Sequence, residues 1–166
     1  MKPNLWKRLL QKFGCLIFVA VISPAHGQSL VAGSVQGVVA TASSAQVPGY
    51  NGEFRTVSDE GLTETAPGSG LYRLTTSQVG WTSRNLDAQG LIHFDLGTVR
   101  TVNRFRVWNY NEPGYNFRGF REVTVQYSND ALIWQTTPQR FTFAQAPALS
   151  SYVGEEHSLL RPITAR

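Results

Sequence analysis

The sequence predicts an all-β protein, built as an antiparallel β-sandwich or barrel. From Gln28 onward apolar residues recur with a period of two, and no window of about a dozen residues carries an uninterrupted helical stripe. The pieces between the periodic runs are rich in Gly, Pro, Ser and Asn, which favour turns. Regular short strands joined by such turns are typical of sandwiches and barrels.

Three segments alternate most clearly between apolar and polar residues, and each predicts a strand with one solvated face. They are residues 91–96, 104–110 and 122–128, and shorter strands are predicted at 35–40, 132–136 and 140–143. Within 104–110, Trp108 and Tyr110 are expected on the face opposite Phe105 and Val107. The predicted core consists of Trp81, Phe94, Phe105, Val123, Val125, Tyr127 and Trp134. Residues 44–80 lack strong periodicity, which in a compact domain indicates a functional loop or an unrecognised element.

Residues 1–27 have the layout of a secretory signal peptide. Lysines and an arginine precede the apolar run 13–22, and the small residues Ala25 and Gly27 follow Ser23 and Pro24. The apolar run is shorter than the about 18 residues that span a bilayer. We therefore expect a secreted, extracellular protein, cleaved after Gly27, whose mature chain is one domain of residues 28–166 without a transmembrane segment.

Charge and cysteine content narrow the range of functions that this domain could have. Four of the 15 basic residues lie before Gln28. The 11 basic residues of the mature chain are all arginines, and they balance its 11 acidic residues. A nucleic-acid partner, which requires a basic patch on the folded domain, is therefore disfavoured. The single cysteine, Cys15, lies in the signal peptide, so no disulfide stabilises the mature chain.

The usual signatures of catalysis are missing from the sequence. His93 and His157 are far apart and no zinc spacing, Gly-x-Ser-x-Gly elbow or phosphate-binding Gly-rich loop occurs. The carboxylate pairs 59–60 and 155–156 are adjacent residues, whose side chains point to opposite faces of an extended chain. We expect a protein that is not an enzyme.

Five phrases, in order, resemble the discoidin or coagulation factor type C domain, a galactose-binding-like carbohydrate-binding module. They are Ala-Thr-Ala-Ser-Ser at 40–44, Trp-Thr-Ser at 81–83, Ile-His-Phe-Asp-Leu-Gly at 92–97, Arg-Gly-Phe-Arg-Glu-Val-Thr-Val at 118–125, and Tyr-Ser-Asn-Asp at 127–130 leading to Trp134. The phrase Val-Trp-Asn-Tyr-Asn at 107–111 is similar to a bacterial subgroup. The resemblance implies an eight-stranded jelly roll and a binding module. Members bind sugars or, in some animal proteins, phospholipid head groups and other proteins.

The chain also departs from the family pattern. Ala131 stands where the family has a turn glycine, whose φ is often positive. The resemblance suggests structural calcium, with Asp59, Gly61 and Thr63 as candidate ligands, although this loop has few carboxylates for calcium's about six to eight oxygens. In the family a phrase like 164–166 introduces the final strand, so we expect a sandwich that lacks its last strand, in a monomer or part of a longer chain.

The segment 110–118 is the predicted ligand-binding loop. Its candidate contacts are Tyr110, Asn111, Tyr115, Phe117 and Arg118. Aromatic rings offer a plane for the C–H face of a sugar, whereas amides and a guanidinium serve its hydroxyl groups. In the alternative, the rings lie under the loop and Arg118 pairs with Glu112 or Glu122. Asn109 is expected to be either a buried structural residue or a sugar contact, and Asp95 a turn or inter-strand hydrogen-bonding residue rather than a ligand contact.

Three functions are compatible with this pattern. The first is a secreted module that binds carbohydrate, with a glycan or another cell-surface ligand as its partner. The second is an adhesion module that binds protein or lipid, although a neutral mature chain disfavours anionic lipid. The third is a targeting module of a larger extracellular enzyme.

We predict that exported protein begins at Gln28, because the small residues at 25 and 27 form a cleavage site. N-terminal sequencing and intact mass measurement of exported material test this prediction. Retention of residues 1–27 would contradict it.

Overall fold

A computed structural model describes residues 15–22, 38–45, 52–57, 62–66, 72–74, 80–84 and 89–166. Strands make up 48% of the structure and helix is almost absent, which confirms the predicted all-β class. The described helical segments are two short 3-10 turns, Glu53–Val57 and Asn116–Arg118. Among the described residues, no helix has the length and apolar character needed to cross a membrane.

Ten strands are described. In chain order they are β1 Cys15–Ile22, β2 Val39–Ala42, β3 Leu62–Glu64, β4 Tyr72–Leu74, β5 Trp81–Thr82, β6 Ile92–Asp95, β7 Arg100–Asn109, β8 Glu122–Tyr127, β9 Gln135–Thr142 and β10 Glu155–Ala165. The largest sheet has the order β10-β7-β1-β5, and the pairs β2-β6, β3-β4 and β8-β9 form smaller sheets. Every strand pairing is antiparallel. The architecture is an antiparallel β-sandwich, and the finer jelly-roll topology stays a prediction.

Aromatic rings fill the core between the sheets. Phe105 on β7 packs edge-on against Phe141 on β9, with ring centroids 5.0 Å apart. Phe143, Val107 and Trp81 complete a cluster in which each residue is at most 3% exposed. Burying each large apolar side chain contributes about 1.5–3 kcal/mol, so this cluster supplies much of the force that joins the sheets.

The segment after β2 ties two further strands to this core. The indole Nε1 of Trp81 donates a hydrogen bond of 2.7 Å to the Ser44 carbonyl. The Ser43 hydroxyl accepts the Leu91 backbone N–H at 3.0 Å, and the Leu91 carbonyl accepts the Ser43 N–H at 2.9 Å. The polar groups of this segment therefore hold Trp81 and the start of β6 in place. Asp95, at the end of β6, accepts the Gly97 N–H and is the turn residue that was expected.

The structure corrects the predicted environment of two tryptophans. Trp108 is fully buried, because the Gly154 backbone packs against it so closely that a Cβ at Gly154 would lie 3.1 Å from the indole. The end of β7 is therefore covered on both faces, and Tyr110 is buried as well. Trp134, predicted as core, is 39% exposed and stacks on His93 with ring centroids 4.7 Å apart.

Two strand predictions were also wrong. Residues 132–134 form a turn, and β9 begins at Gln135 instead of residue 132. The predicted strand 140–143 is the end of β9 rather than a strand of its own. The long strand β10 was not predicted, because its consecutive glutamates and Pro162 interrupt a regular alternation. In the structure, its register against β7 shifts between Ser158 and Ile163.

Strand β1 comes from the apolar run of the predicted signal peptide. It pairs with β7 from Leu16 to Ile22, and with β5 at Cys15 and Leu16. This pairing describes the unprocessed chain, so cleavage after Gly27 stays a prediction. Cleavage would remove the strand that satisfies one edge of β7.

The turn between β8 and β9 is held by side-chain hydrogen bonds. One carboxylate oxygen of Asp130 accepts the backbone N–H groups of Leu132 and Ile133, each at 2.9 Å. These hydrogen bonds lower the pKa of Asp130. The bond from Ile133 has the largest effect, followed by those from Leu132 and from the Ser128 hydroxyl. The resulting stabilisation is present above the unfolded-state pKa and is lost as the pH falls through the lower folded-state pKa.

Replacing Ala131 with glycine should stabilise the protein. Ala131 has φ 59°, a left-handed conformation that costs a non-glycine residue about 1–2 kcal/mol. Glycine loses about 0.5–1 kcal/mol in backbone entropy, so the net gain for Ala131→Gly is about 0.5–1 kcal/mol. Denaturant unfolding measures this gain. Ala144→Gly is the control, because φ is not positive there and glycine should lower stability; equal effects at both positions would contradict the argument.

Candidate ligand-binding loop

Residues 110–121 connect β7 to β8 and contain the segment 110–118 that the sequence predicts to bind a ligand, so we call this connection the binding loop. Gly114, at φ +78°, allows the tight turn after Pro113. The Tyr115 N–H then donates to the Glu112 carbonyl at 3.0 Å, and the Arg118 N–H donates to the Tyr115 carbonyl at 2.9 Å. The loop therefore consists of consecutive hydrogen-bonded turns.

The Asn109 side chain closes the base of the binding loop. Its Nδ2 donates to the carbonyls of Phe120 at 2.7 Å and Ala144 at 2.9 Å. Its Oδ1 accepts the N–H groups of Tyr110 and Phe120, both at 3.0 Å. Both amide hydrogens and both acceptor sites are used, so Asn109, which is 1% exposed, is the buried structural residue of the two alternatives.

Two neighbours support Asn109. A Cβ on Gly119 would lie 2.3 Å from Asn109 Oδ1, so this position requires glycine for close approach rather than for its φ. The Tyr152 hydroxyl accepts the Asn109 backbone N–H at 3.1 Å. Burial raises the pKa of Tyr152 to about 12. The neutral phenol thus stabilises the fold below pH 10, and this contribution is lost as the pH rises toward the folded-state value.

Two further asparagines fasten the binding loop to the segment between β9 and β10. Asn111 Nδ2 donates to the Leu149 carbonyl at 2.8 Å. Asn116 Nδ2 donates to the Ala146 carbonyl at 2.6 Å. Because the loop is fixed at 109, 111 and 116, little conformational entropy remains to be lost when a ligand binds.

Three side chains of the binding loop form its outer surface. Tyr115 is 44% exposed and Phe117 is 49% exposed, and their ring centroids are 6.4 Å apart. The guanidinium of Arg118 lies over the Tyr115 ring, with Cζ 4.3 Å from the centroid. The stack holds a charged group with several N–H donors beside two exposed rings.

The five predicted contacts therefore divide into two groups. Tyr115 and Phe117 lie together at the surface, contrary to the alternative in which all the rings lie beneath the loop, and Arg118 is stacked on Tyr115 and partly buried. Tyr110 and Asn111 are 4% and 2% exposed and face the interior, where the Tyr110 hydroxyl donates to the Glu112 carboxylate. They position the loop and do not form its surface.

Sequence reasoning did not identify Asn116, Gly119 and the segment 144–152 as supports of this loop. Asn116 and Gly119 flank candidates that were recognised, and the asparagine-rich spacing 109, 111 and 116 was the available signal. The segment 144–152 carried little signal, because apart from the Tyr152 hydroxyl its contribution is made by backbone carbonyls, which every residue possesses.

The candidate calcium ligands fall mostly outside the described structure. Asp59 and Gly61 lie outside the described residues. Thr63 is exposed on β3, opposite Arg73 of β4. The described part of the chain has no group of three or more His, Cys, Asp or Glu side chains that could hold a metal. Calcium binding stays a prediction from resemblance.

A second exposed surface lies on the turn before β9, and we call residues 131–134 the apolar turn. Leu132 is 83% exposed and Ile133 is 70% exposed, beside the Trp134 ring that stacks on His93. The Asp130 hydrogen bonds hold this turn, so its apolar groups have a defined position. Contiguous exposed apolar groups mark contact surfaces more often than isolated ones do.

We predict strong energetic coupling between Asn109 and Gly119. Asn109→Ala should cost about 2–4 kcal/mol, because the buried loop groups that it serves lose their partners. Gly119→Ala should cost about 1–3 kcal/mol through overpacking against the Asn109 side chain. In the double variant the clash is gone, so the two costs should not add. Denaturant unfolding of the four proteins gives the coupling energy, and additive costs would show that the two residues do not interact.

No protein-family model, curated protein or solved structure matches the chain.

Proposed function

We propose that this protein is a secreted, non-catalytic binding module that recognises a neutral sugar through Tyr115, Phe117 and Arg118. The observation that carries the proposal is an exposed aromatic pair on a loop whose backbone is held by three asparagine side chains. Large exposed rings on a rigid loop are otherwise unfavourable in water, and a ligand that covers them recovers that free energy.

The chemistry of the three side chains suits a sugar. The Tyr115 and Phe117 rings offer apolar surface to the C–H groups of a pyranose, and the Tyr115 hydroxyl and Arg118 N–H groups offer directed hydrogen bonds. The predicted mature chain, residues 28–166, has 11 arginines and 11 acidic residues, and this balance favours a neutral over a strongly anionic ligand. A small contact of this kind corresponds to dissociation constants of micromolar to millimolar, or about 4–8 kcal/mol.

The proposal assigns binding rather than catalysis to this loop. Its surface groups are two exposed aromatic rings and the partly buried guanidinium stacked on one of them, which supply contact surface and hydrogen-bond donors. A guanidinium stays protonated and the Phe117 ring has no exchangeable proton, so neither serves as a general base or nucleophile at neutral pH, and the proposal assigns the Tyr115 hydroxyl a hydrogen-bonding role. A role as the targeting module of a larger extracellular enzyme agrees with the same loop.

The apolar turn favours a second candidate function, adhesion to a protein or lipid surface. Leu132 and Ile133 are more exposed than any other large apolar side chain described except Leu160. A flat apolar contact would bury them, whereas a sugar ring needs the aromatic pair of the binding loop. The two candidates therefore use different residues and can be separated by substitution.

A glycan array of neutral oligosaccharides, followed by titration calorimetry with the best ligand, tests the sugar proposal. Tyr115→Ala and Phe117→Ala should each weaken binding by about tenfold or more, and Arg118→Ala should abolish it. Circular dichroism and unfolding midpoints of the Tyr115 and Phe117 variants should stay close to those of the parent, because these two side chains are exposed. Arg118 is partly buried, so the unfolding midpoint of Arg118→Ala is measured beside its binding.

The chain provides a matched control in Phe54, which is 47% exposed and has the Arg55 guanidinium 5.4 Å from its ring. Phe54→Ala removes an equivalent exposed ring elsewhere and should leave sugar binding unchanged. Unaltered binding by Tyr115→Ala and Arg118→Ala would place the site elsewhere. If the protein binds vesicles or another protein rather than sugars, and Ile133→Ser abolishes that binding, the result would favour adhesion.

A further inference from the structure

The segment that links β9 to β10 lies beside the binding loop and runs antiparallel to it. Its carbonyl at Leu149 accepts the side-chain amide of Asn111, and its carbonyl at Ala146 accepts that of Asn116. As the residue number rises along the binding loop, the number of the bonded partner therefore falls. We call residues 146–151 of this segment the second wall.

The second wall presents an apolar side chain to solvent in a fixed position. Leu149 is 57% exposed. Its carbonyl accepts two N–H groups, from the Asn111 side chain at 2.8 Å and from the Tyr152 backbone at 3.1 Å. A shift of the backbone that withdrew this side chain from water would break both hydrogen bonds, so the exposure of Leu149 is built into the segment.

Backbone strain immediately before Leu149 is a second, independent feature. Ala148 has φ 60°, a left-handed conformation that is strained for a residue with a Cβ. Such residues persist only where the surrounding contacts hold them, and they are concentrated at ligand sites. Here the strained residue lies between the two carbonyls that the binding loop holds, at 146 and 149.

The turn that follows Leu149 adds polar groups. It is closed by the hydrogen bond from the Tyr152 N–H to the Leu149 carbonyl, and its central residues, Ser150 and Ser151, are both exposed. A hydroxyl group donates one hydrogen bond and accepts others, as the hydroxyls of a sugar do. The second wall therefore repeats the combination found on the binding loop, apolar surface beside directed hydrogen-bonding groups.

The aromatic pair and Leu149 lie at different places along the line of contact between the two segments. Tyr115 and Phe117 flank Asn116, whereas Leu149 is bonded to Asn111, near the opposite end of the loop. The exposed surface is therefore elongated along this line. An elongated surface with apolar contacts at separate places fits a chain of sugar rings better than a single ring.

We propose that the second wall is part of the ligand-binding surface and that the ligand is a neutral oligosaccharide held along its chain. One sugar ring lies on Tyr115 and Phe117, and a neighbouring ring contacts Leu149 and the hydroxyls of Ser150 and Ser151. This inference rests on the proposed function of the binding loop, and it specifies the ligand as a chain of sugars rather than one terminal sugar.

In the competing account, the second wall only supports the binding loop through its backbone carbonyls. Leu149 is then exposed because it lies in a surface turn, and it touches no ligand. The two accounts differ in the role of the Leu149 side chain alone, because any residue at that position retains the carbonyl that Asn111 binds. Substitution of this side chain therefore separates them.

The test compares sugars of different length. Titration calorimetry measures the binding of the mono-, di- and trisaccharides of glucose, galactose, mannose and N-acetylglucosamine to the full chain. The trisaccharide of the sugar that binds should bind about tenfold or more tighter than its monosaccharide, beyond the statistical gain from several equivalent rings. Leu149→Ser, and separately the double variant Ser150→Ala with Ser151→Ala, should reduce this ratio to the statistical gain.

The chain offers a matched control in Leu160, which is 74% exposed on β10. Its hydrogen bond to Gln139 uses the backbone N–H and survives substitution of the side chain. Leu160→Ser removes an equivalent exposed apolar group and should leave the ratio unchanged. The unfolding midpoint of Leu149→Ser should match that of the parent, because the hydrogen bonds of Leu149 are made by its backbone.

The outcomes distinguish this inference from the function on which it rests. A parent protein that binds the monosaccharide and the trisaccharide equally, apart from the statistical gain, would overturn the inference and leave the proposed function standing. A ratio that is unchanged in both Leu149→Ser and the serine double variant would do the same. Failure of every sugar to bind at any length, or binding that Tyr115→Ala does not weaken, would overturn the proposed function and this inference with it.

Discussion

The Asn109 side chain is the constraint on which the binding loop depends. Its four hydrogen bonds join the end of β7 to the start of β8 and to the end of β9. A buried amide with every donor and acceptor used specifies one arrangement, because any shift of the loop would leave several polar groups unsatisfied at once. Gly119 makes the close approach possible, and Tyr152 binds the Asn109 backbone from the other side. The exposed positions of Tyr115 and Phe117, with Arg118 stacked on Tyr115, follow from this arrangement.

The two ends of the sandwich differ in how completely they are closed. Around Asn109 the chain is packed on both faces of β7, with Trp108 on one side and the Phe105 cluster continuing on the other. Between β6 and β8 the same core is open, and residues with core parity are half-buried. A rigid closed end suits a preformed ligand site, because little conformational entropy is lost when a ligand binds to a loop that is already fixed.

The residue composition of the segment 110–118 indicated the binding loop but not the role of each residue in it. Three aromatics, asparagines, an arginine and a Pro-Gly pair made residues 110–118 a candidate, and the structure places three of the five predicted contacts together at its surface. Tyr110 and Asn111 have the same residue types as surface contacts, yet they are buried, because β7 continues with both faces covered. Trp134 shows the opposite error, since an aromatic residue expected in the core is partly exposed and rests on His93.

The sequence by itself determined the β class, the strands β6, β8 and most of β7, and the turn residue Asp95, because alternation and turn chemistry act over a few neighbouring residues. It also marked Ala131, whose positive φ the turn retains without glycine. Only the tertiary structure decided which faces are covered, which backbone carbonyls meet Asn109, Asn111 and Asn116, and where β10 pairs. Apart from the bond between Asn109 and the Phe120 carbonyl, these depend on contacts between residues 30 or more positions apart, such as Asn116 with Ala146. A backbone carbonyl has no residue-specific signal in the sequence. Burial on the second face of β7 likewise arises from Gly154, whose proximity to Trp108 is created by the fold.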